Sequence, residues 1–125
     1  MIVSKFLDTS AWLSYFFAQN KEVKDIIDSS ILLLSSVISI FEVKKKLILN
    51  KLSNQEVDRI INFVKERSIM IDLTKDICEE AAVISVRNHL HTVDSLIYAS
   101  ALANNAELIT GDSDFRNLKN VRIVT

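Results

Sequence analysis

Short aliphatic runs alternate with longer stretches of helical spacing along this chain, and this alternation constrains the fold more than any other feature. The aliphatic runs lie at residues 2–7, 31–34, 69–73, 107–110 and 121–124. Strands buried on both faces of a parallel sheet read as continuous apolar runs, and strands that alternate with helices form such sheets. The sequence therefore predicts an α/β fold, a three-layer α/β/α sandwich around a central, mostly parallel sheet of about five strands.

Polar residues mark where several predicted helices begin. Ser35 or Ser36 is expected to cap a long helix that reaches residue 52, and Thr92 to cap a nearly apolar helix that ends at residue 105. Ser53, followed three residues later by a glutamate, forms a capping box at the start of another helix. Because no linker, repeat or low-complexity tract interrupts this pattern, we expect a single domain over residues 1–125.

The bulk composition excludes several classes of protein. The longest apolar runs are far shorter than the roughly 20 residues that cross a bilayer, and the first residues lack the basic segment and cleavage pattern of a signal peptide. The single cysteine, Cys78, excludes an internal disulfide and a cysteine-based zinc site, and it fits the reducing cytoplasm. A net charge of −1 argues against a protein that binds nucleic acid through its overall electrostatic field, although a local basic patch is compatible with this charge. We therefore expect a cytoplasmic protein without membrane contact.

Several apolar features have a structural explanation that competes with a functional one. Four residues are expected to lie in the core rather than in a site, namely Trp12, Tyr15, Phe41 and Cys78. The apolar segments 12–17 and 57–64 would form a dimer or partner surface if they were exposed, but core packing explains them equally well.

Acidic side chains stand at the predicted ends of two strands and near the start of a helix. Asp8 follows the first strand, Asp112 and Asp114 follow the fourth, and Asp94 lies in the first turn of the preceding helix. Parallel strands place their carboxyl ends at the same edge of a sheet, where ligands bind in open α/β folds. Asp8 and Asp112 are therefore near neighbours if strands one and four are adjacent. Glu42, on the border between the apolar and lysine-bearing faces of its helix, can project into a cleft beside that edge.

Each of these acids also has a purely structural explanation. An aspartate before a helix caps it, a carboxylate in a first helical turn is favoured by the helix dipole by about 0.3–1 kcal/mol, and acids beside lysines form solvated ion pairs. None of these explanations predicts convergence at one edge of the sheet. Carboxylates that share a site repel one another unless a cation neutralises them. Oxygen ligands without a cysteine or histidine cluster favour Mg²⁺ or Mn²⁺ over zinc.

Four segments together resemble the PIN domain, the nuclease domain of VapC-type toxins in toxin–antitoxin pairs. They are FLDTSAW at residues 6–12, SVISIFEVKKKL at residues 36–47, HTVDSLIYASALANNAELITGDSDF at residues 91–115, and the final VRIVT. Their order and spacing agree with the family over essentially the whole chain. The resemblance implies a PIN-like, Rossmann-like fold, a metal-dependent ribonuclease that is usually a homodimer, and an antitoxin protein as partner.

The resemblance also assigns roles to individual residues. By position, the family's acidic quartet is Asp8, Glu42, Asp94 and Asp112. Thr9 matches the small hydroxyl residue after the first aspartate, and Thr110 and Asp114 match secondary positions of the terminal motif. The chain departs from many relatives at residues 88–91, where Asn-His-Leu-His replaces an arginine-containing or glycine-rich approach, and in its denser lysine run. Both departures leave the quartet intact and the choice of RNA open.

The mechanism expected for such a site is hydrolysis of an RNA phosphodiester by a metal-activated water. Asp8, Asp94 and Asp112 would bind one or two Mg²⁺ or Mn²⁺ ions, with Glu42 as a further ligand or as general base. Thr110 would hydrogen-bond a carboxylate or a metal-bound water. Basic side chains are the candidates for holding RNA phosphates. They are Lys44, Lys45, Lys46, Arg87 and Arg116. A solvated helix face explains the lysine run as well.

Two other functional interpretations remain. Acids at strand ends also serve phosphoryl transfer in receiver and haloacid-dehalogenase-type folds, but those need a second acid near the first strand, whereas Asp8 is followed by Thr-Ser-Ala. The other alternative is a catalytically inactive PIN-like module that binds RNA or protein. The intact quartet argues against it.

Overall fold

The structure is a computed structural model, and it describes residues 4–124. Its strands are β1 (Lys5–Leu7), β2 (Leu33–Ser36), β3 (Ile69–Ile71), β4 (Glu107–Thr110) and β5 (Val121–Ile123). They form a five-stranded sheet in the order β3-β2-β1-β4-β5, in which every neighbouring pair is parallel. The predicted parallel α/β fold is therefore confirmed. Residues 2 and 3 of the predicted first strand lie outside the described residues.

Helices connect the strands and cover both faces of the sheet. They are α1 (Thr9–Leu13), which continues as a π-helical turn (Ser14–Ala18), α2 (Lys21–Asp28), α3 (Val37–Leu49), α4 (Asn54–Arg67), α5 (Lys75–Asn88) and α6 (Thr92–Ala103), followed by a 3₁₀ turn (Ser113–Phe115). No helix in this described part of the chain is long and apolar enough to cross a membrane.

Alternate residues of the central strands supply two apolar cores. Leu7 and Ile109 are fully buried in a cluster with side chains of α1 to α4. Phe6 and Leu108 are fully buried in a second cluster with side chains of α5 and α6. Because successive residues of a strand point to opposite faces, the two clusters lie on opposite sides of the sheet, and the three layers follow.

The second strand lies two residues later than predicted, at Leu33–Ser36 instead of residues 31–34. Ser35 and Ser36 are fully buried in it. The Ser35 hydroxyl accepts a hydrogen bond from Trp12 Nε1 at 2.9 Å, and the Ser36 hydroxyl accepts one from the Ile38 N–H at 3.2 Å. Buried hydroxyls with such partners are tolerated in a core, so these serines extend the strand, and Ser36 is the residue that caps α3.

Several helix ends also differ from their predicted positions. The long helix stops at Leu49 instead of residue 52 because the Asn50 side chain donates to the Lys46 carbonyl and Lys51 adopts a φ of 62°. Thr92 does not cap α6, of which it is the first residue. His91 occupies the cap position without a side-chain hydrogen bond. The helix ends at Ala103 instead of residue 105, and β3 and β5 are slightly shorter than predicted.

The predicted core positions are partly right. Trp12 is fully buried, and residues 57–64 contribute Val57 and Val64 to the same core. The predictions for Phe41 and Cys78 are wrong, since Phe41 is 62% exposed and Cys78 is exposed. Each lies on the outer face of a helix whose opposite face packs on the sheet.

Candidate metal centre at the carboxyl edge of the sheet

The order of the strands creates a switch point between β1 and β4. The chain adds β2 and β3 on one side of β1 and then returns over the opposite face to place β4 on the other side. The Asp8 N–H donates to the Ile109 carbonyl at 3.2 Å, so the ends of β1 and β4 lie side by side. Ligands of open α/β folds bind outside the carboxyl ends of strands at such a point. This pairing of β1 with β4 explains why Asp8 and Asp112 are close to each other, as the sequence predicts.

Asp8 is buried and held by three hydrogen bonds. One carboxylate oxygen accepts from the Ser10 hydroxyl at 2.7 Å and from the Ala11 N–H at 2.9 Å, and the other accepts from the Thr110 hydroxyl at 2.5 Å. Burial raises the pKa of Asp8, and these three donors offset part of that rise. Asp8 therefore caps α1, as its structural explanation requires, and also lies at the strand ends beside the other acids.

Asp94, Asp112 and Asp114 form the most compact group of acids. One oxygen of each carboxylate lies within 4.8 Å of an oxygen of the other two. Asp94 enters from the first turn of α6, and Asp112 and Asp114 come from the turn after β4. Asp112 is oriented by two contacts, since its N–H donates to the Thr110 hydroxyl at 3.0 Å and its carboxylate accepts from the Asp114 N–H at 2.9 Å. Asp114, a secondary position by resemblance, thus stands with two members of the quartet.

The electrostatics of the whole cluster converge on Asp94. Its pKa is raised to about 6, first by burial and then by the negative charges of Asp112, Asp8 and Glu42. Among residues 4–124, no hydrogen-bond donor to its carboxylate is present that would compensate. Asp94 is therefore a site carboxylate that the fold leaves without a hydrogen-bond donor, and nearby His91 offsets only part of the rise in its pKa.

This arrangement fits a hard divalent cation. The available donors are carboxylate oxygens, which Mg²⁺ and Mn²⁺ prefer. Burial is the first cause of the raised Asp94 pKa, and the like charges of Asp112, Asp8 and Glu42 add a repulsion that a bound cation would offset. Asp94, Asp112 and Asp114 are the residues placed to hold such an ion, with Asp8 and Glu42 contributing charge at the same edge.

Glu42 reaches the site from α3 and is tied to the first turn of α1. One of its oxygens accepts a hydrogen bond from the Thr9 hydroxyl at 2.5 Å. The Thr9 hydroxyl is also 3.1 Å from the hydroxyl of Ser39, which is fully buried. Glu42 is half-buried, between this contact and the solvent-facing side of its helix. The second Glu42 oxygen has no hydrogen-bond donor within residues 4–124.

Sequence reasoning missed the hydroxyl groups of Ser10 and Ser39. Ser10 contacts Asp8 and the turn after β4, and Ser39 contacts Thr9. A serine in the first turn of a helix reads as an ordinary cap or turn residue. Only the pairing of β1 with β4, which local sequence does not encode, brings Ser10 to Gly111 in the turn after β4.

The candidate RNA-binding cations separate into two groups. Lys46 lies one helical turn after Glu42 and shares its side of α3, and Arg116 directly follows the 3₁₀ turn that carries Asp114. Both are exposed. Lys44 and Lys45 instead border an apolar groove on the outer face of α3, where the Lys45 ammonium lies 5.8 Å from the centre of the Phe41 ring.

Arg87 belongs to neither group of cations. It lies near the end of α5, beside the exposed Val83 and Val86. Lys46 and Arg116 are thus close to acids of the site along the chain, whereas Lys44 and Lys45 border the groove on α3 and Arg87 borders exposed valines on α5.

Comparison with known proteins gives a consistent family and fold. The family model described as the PIN domain matches residues 5–121. A toxin–antitoxin complex from Klebsiella pneumoniae is 21% identical, with a TM-score of 0.80 over 95% of this chain and 96% of that one. A VapBC complex from Rickettsia felis bound to promoter DNA is 15% identical, with a TM-score of 0.79 over 98% and 100% of the two chains. The sarcin–ricin-loop-cleaving VapC toxin of Mycobacterium tuberculosis is 18% identical, with a TM-score of 0.76 over 98% and 100%.

At these identities the structural likeness establishes the fold. No curated protein sequence matches the chain.

Proposed function

The chain belongs to the PIN domain family, and from this premise we propose that it is a metal-dependent endoribonuclease acting as the toxin of a toxin–antitoxin pair. One observation carries the proposal. Acidic side chains from the end of β1, α3, α6 and the turn after β4 converge at the switch point. Burial, followed by the charges of Asp112, Asp8 and Glu42, raises the pKa of Asp94 to about 6. Such a concentration of negative charge is unfavourable for the fold alone and is useful where a cation binds.

The proposed roles follow from where each carboxylate stands. Asp94 and Asp112, with Asp8, would hold one or two Mg²⁺ or Mn²⁺ ions, and Asp114 is placed to contribute. A bound ion would supply a lowered pKa for the attacking water and neutralise charge at the phosphate. Glu42 keeps one oxygen on Thr9 and would use the other to orient the water and accept its proton.

Substrate binding would use the cations nearest the acids. Phosphate contacts position a nucleic acid without reading its sequence. Lys46, one helical turn after Glu42, and Arg116, two residues after Asp114, would hold phosphates on either side of the cleaved bond. Lys44 and Lys45 border the apolar groove on α3 and Arg87 borders exposed valines on α5, and these three would contribute more weakly.

Cleavage of a mixed pool of structured RNA tests the proposed activity. We expect purified protein to cut RNA in Mn²⁺ or Mg²⁺, and we expect both EDTA and Asp94→Asn to abolish cleavage. Cleavage that survives either condition would exclude the proposed mechanism. If RNA binds but is never cut in the presence of bound metal, the alternative of a catalytically inactive binding module is supported instead.

An antitoxin protein is the proposed partner of the chain. The solved structures from Klebsiella pneumoniae and Rickettsia felis are toxin–antitoxin complexes of the same fold. We expect the product of a short reading frame co-transcribed with this chain to bind it and to suppress RNA cleavage. Failure of every adjacent reading frame to do so would contradict the toxin assignment and leave the nuclease assignment standing.

A homodimer in the cytoplasm is the proposed assembly. The outer face of α3 exposes Phe41, Ile48 and Leu49, and the outer face of α5 exposes Val83 and Val86. Exposed apolar side chains grouped in this way mark interaction surfaces. We expect sedimentation velocity to show a dimer that Ile48→Lys converts to a folded monomer, whereas a wild-type monomer at high concentration would refute the assembly.

A further inference from the structure

We propose that Ser10 is a positioning residue that holds the two halves of the acidic site in register, an inference that rests on the proposed function. Ser10 lies in the first turn of α1, two residues after Asp8. Its hydroxyl bridges the residue at the end of β1 and the turn that follows β4. Neither the family resemblance nor the acidic pattern assigns it a role.

The bridge uses the hydroxyl group as donor and as acceptor. Ser10 Oγ donates to Asp8 Oδ1 at 2.7 Å and accepts the Gly111 N–H at 2.9 Å. The Thr110 hydroxyl lies 3.4 Å away, at the edge of hydrogen-bonding distance. A serine hydroxyl has one donor and two acceptor positions, so the donor and at least one acceptor position are occupied by site residues from two strands.

The geometry of two acids depends on this bridge. Gly111 directly precedes Asp112, so the bond from its N–H to Ser10 anchors the start of the turn that carries Asp112 and Asp114. On the other side, Ser10 and the Ala11 N–H share one oxygen of Asp8 and leave the second oxygen to Thr110. Loss of the Ser10 hydroxyl therefore loosens both Asp8 and the Asp112 turn at once.

The fold itself depends less on Ser10 than the site does. Gly111 is exposed, so water can replace the lost acceptor of its N–H. Asp8 keeps the Ala11 N–H and the Thr110 hydroxyl when the serine is removed. The expected cost of Ser10→Ala therefore falls on the relative position of the acids. Groups that orient metal ligands typically change metal affinity or activity by about 10–100-fold when they are removed.

Three variants separate positioning from folding. Ser10→Ala removes the bridge, and Ser10→Thr keeps a hydroxyl at the same place. Ser53→Ala is the matched control. It also removes side-chain hydrogen bonds, those of the capping box of α4, but Ser53 does not contact any acid of the candidate metal site. Each variant is compared with wild type for Mn²⁺ affinity by calorimetry, for Tm without metal, and for kcat and KM of RNA cleavage.

We expect Ser10→Ala to lower Mn²⁺ affinity and kcat by about tenfold or more, with KM for RNA nearly unchanged, and Ser10→Thr to restore most of both. Ser53→Ala should lower the Tm without changing Mn²⁺ affinity or kcat. Wild-type Mn²⁺ affinity and kcat in Ser10→Ala would overturn the role of Ser10 and leave the nuclease proposal intact.

The readout of Mn²⁺ affinity keeps the two proposals distinguishable. If wild type binds Mn²⁺ but cuts no RNA, the ribonuclease proposal fails, while a tenfold weaker affinity in Ser10→Ala still supports the positioning role. If wild type binds no Mn²⁺, both proposals are overturned.

Discussion

Asp8 and Asp94 stand at the same edge of the sheet, but the protein treats their charges in opposite ways. Asp8 is buried and accepts three hydrogen bonds, from Ser10, Ala11 and Thr110. Asp94 is half-buried, and the nearby charges of other acids raise its pKa to about 6 in addition to the effect of burial. The fold supplies the first carboxylate with hydrogen-bond donors, whereas the second accepts no hydrogen bond within the described residues.

The difference indicates what each half of the site contributes. Asp8 is fixed in the metal-free protein because its donors belong to rigid parts of the chain, the first turn of α1 and the end of β4. Asp94 holds uncompensated charge, which lowers the stability of the metal-free fold and favours any cation that enters. Strongly perturbed pKa values caused by specific charges are typical of functional sites.

The largest expected effect is on stabilisation by metal. Mn²⁺ at a concentration 100 times its Kd should raise the free energy of unfolding of wild type by about 2.7 kcal/mol. Asp94→Asn removes a ligand charge at the least compensated position, so we expect nearly all of this increase to disappear. Urea unfolding with and without Mn²⁺ measures it. An equal increase in the variant would place the cation elsewhere.

The second effect tests the hydrogen-bonded half of the site. Thr110 is fully buried, donates to Asp8 and accepts the Asp112 N–H. Thr110→Val keeps the shape but removes both contacts, so we expect a loss of about 2 kcal/mol in the free energy of unfolding of the metal-free protein. Urea unfolding in EDTA checks this value. A loss below about 0.5 kcal/mol would mean that water replaces the hydroxyl and that Asp8 is less firmly held than its distances indicate.

In the metal-free protein, Asp94→Asn should increase the free energy of unfolding, whereas Thr110→Val should decrease it. The folded state raises the Asp94 pKa from 3.8 to about 6 and so binds the proton more tightly than the unfolded chain does. The resulting stability is complete below about pH 3.8 and is lost as the pH rises through about 6. Because the carboxyl is half-exposed and screened, we expect Asp94→Asn to be about 1 kcal/mol more stable than wild type at pH 7.5. The variant should lack the loss of stability that wild type shows between about pH 3.8 and 6. Equal pH profiles in EDTA would contradict the electrostatic account.

Local sequence predicts the elements that carry the site because each is marked by a short-range pattern. Continuous aliphatic runs reveal the buried strands, and polar residues after them reveal where Asp8 and Asp112 stand. The shift of β2 shows the limit of such patterns. From local sequence, Ser35 is expected to follow the end of the strand. In the structure it lies within the strand, because Trp12 Nε1, distant in sequence, donates a hydrogen bond to its buried hydroxyl.

The features that were missed depend on long-range contacts or on the outer surface. The role of Ser10 requires the pairing of β1 with β4, and its partner Gly111 is 101 positions away in sequence. Phe41 reads as a core aromatic, yet it faces outward on α3. An apolar residue on an outer helix face satisfies the same helical spacing as one in the core, so spacing alone does not determine which side is buried.

The smallest expected effect concerns Glu42, which is intermediate between Asp8 and Asp94 because a single donor, the Thr9 hydroxyl, contacts it. Thr9→Val removes that donor and also the partner of the buried Ser39 hydroxyl. We expect a loss of about 0.5–1 kcal/mol in the free energy of unfolding, at the low end for a neutral hydrogen bond because Thr9 and Glu42 are only partly buried. Thr9→Ser keeps the hydroxyl and is the control, which should lie close to wild type by urea unfolding in EDTA. If Thr9→Val is instead as stable as wild type, Glu42 is positioned by solvent and belongs with Asp94, among the acids that the fold leaves for the cation.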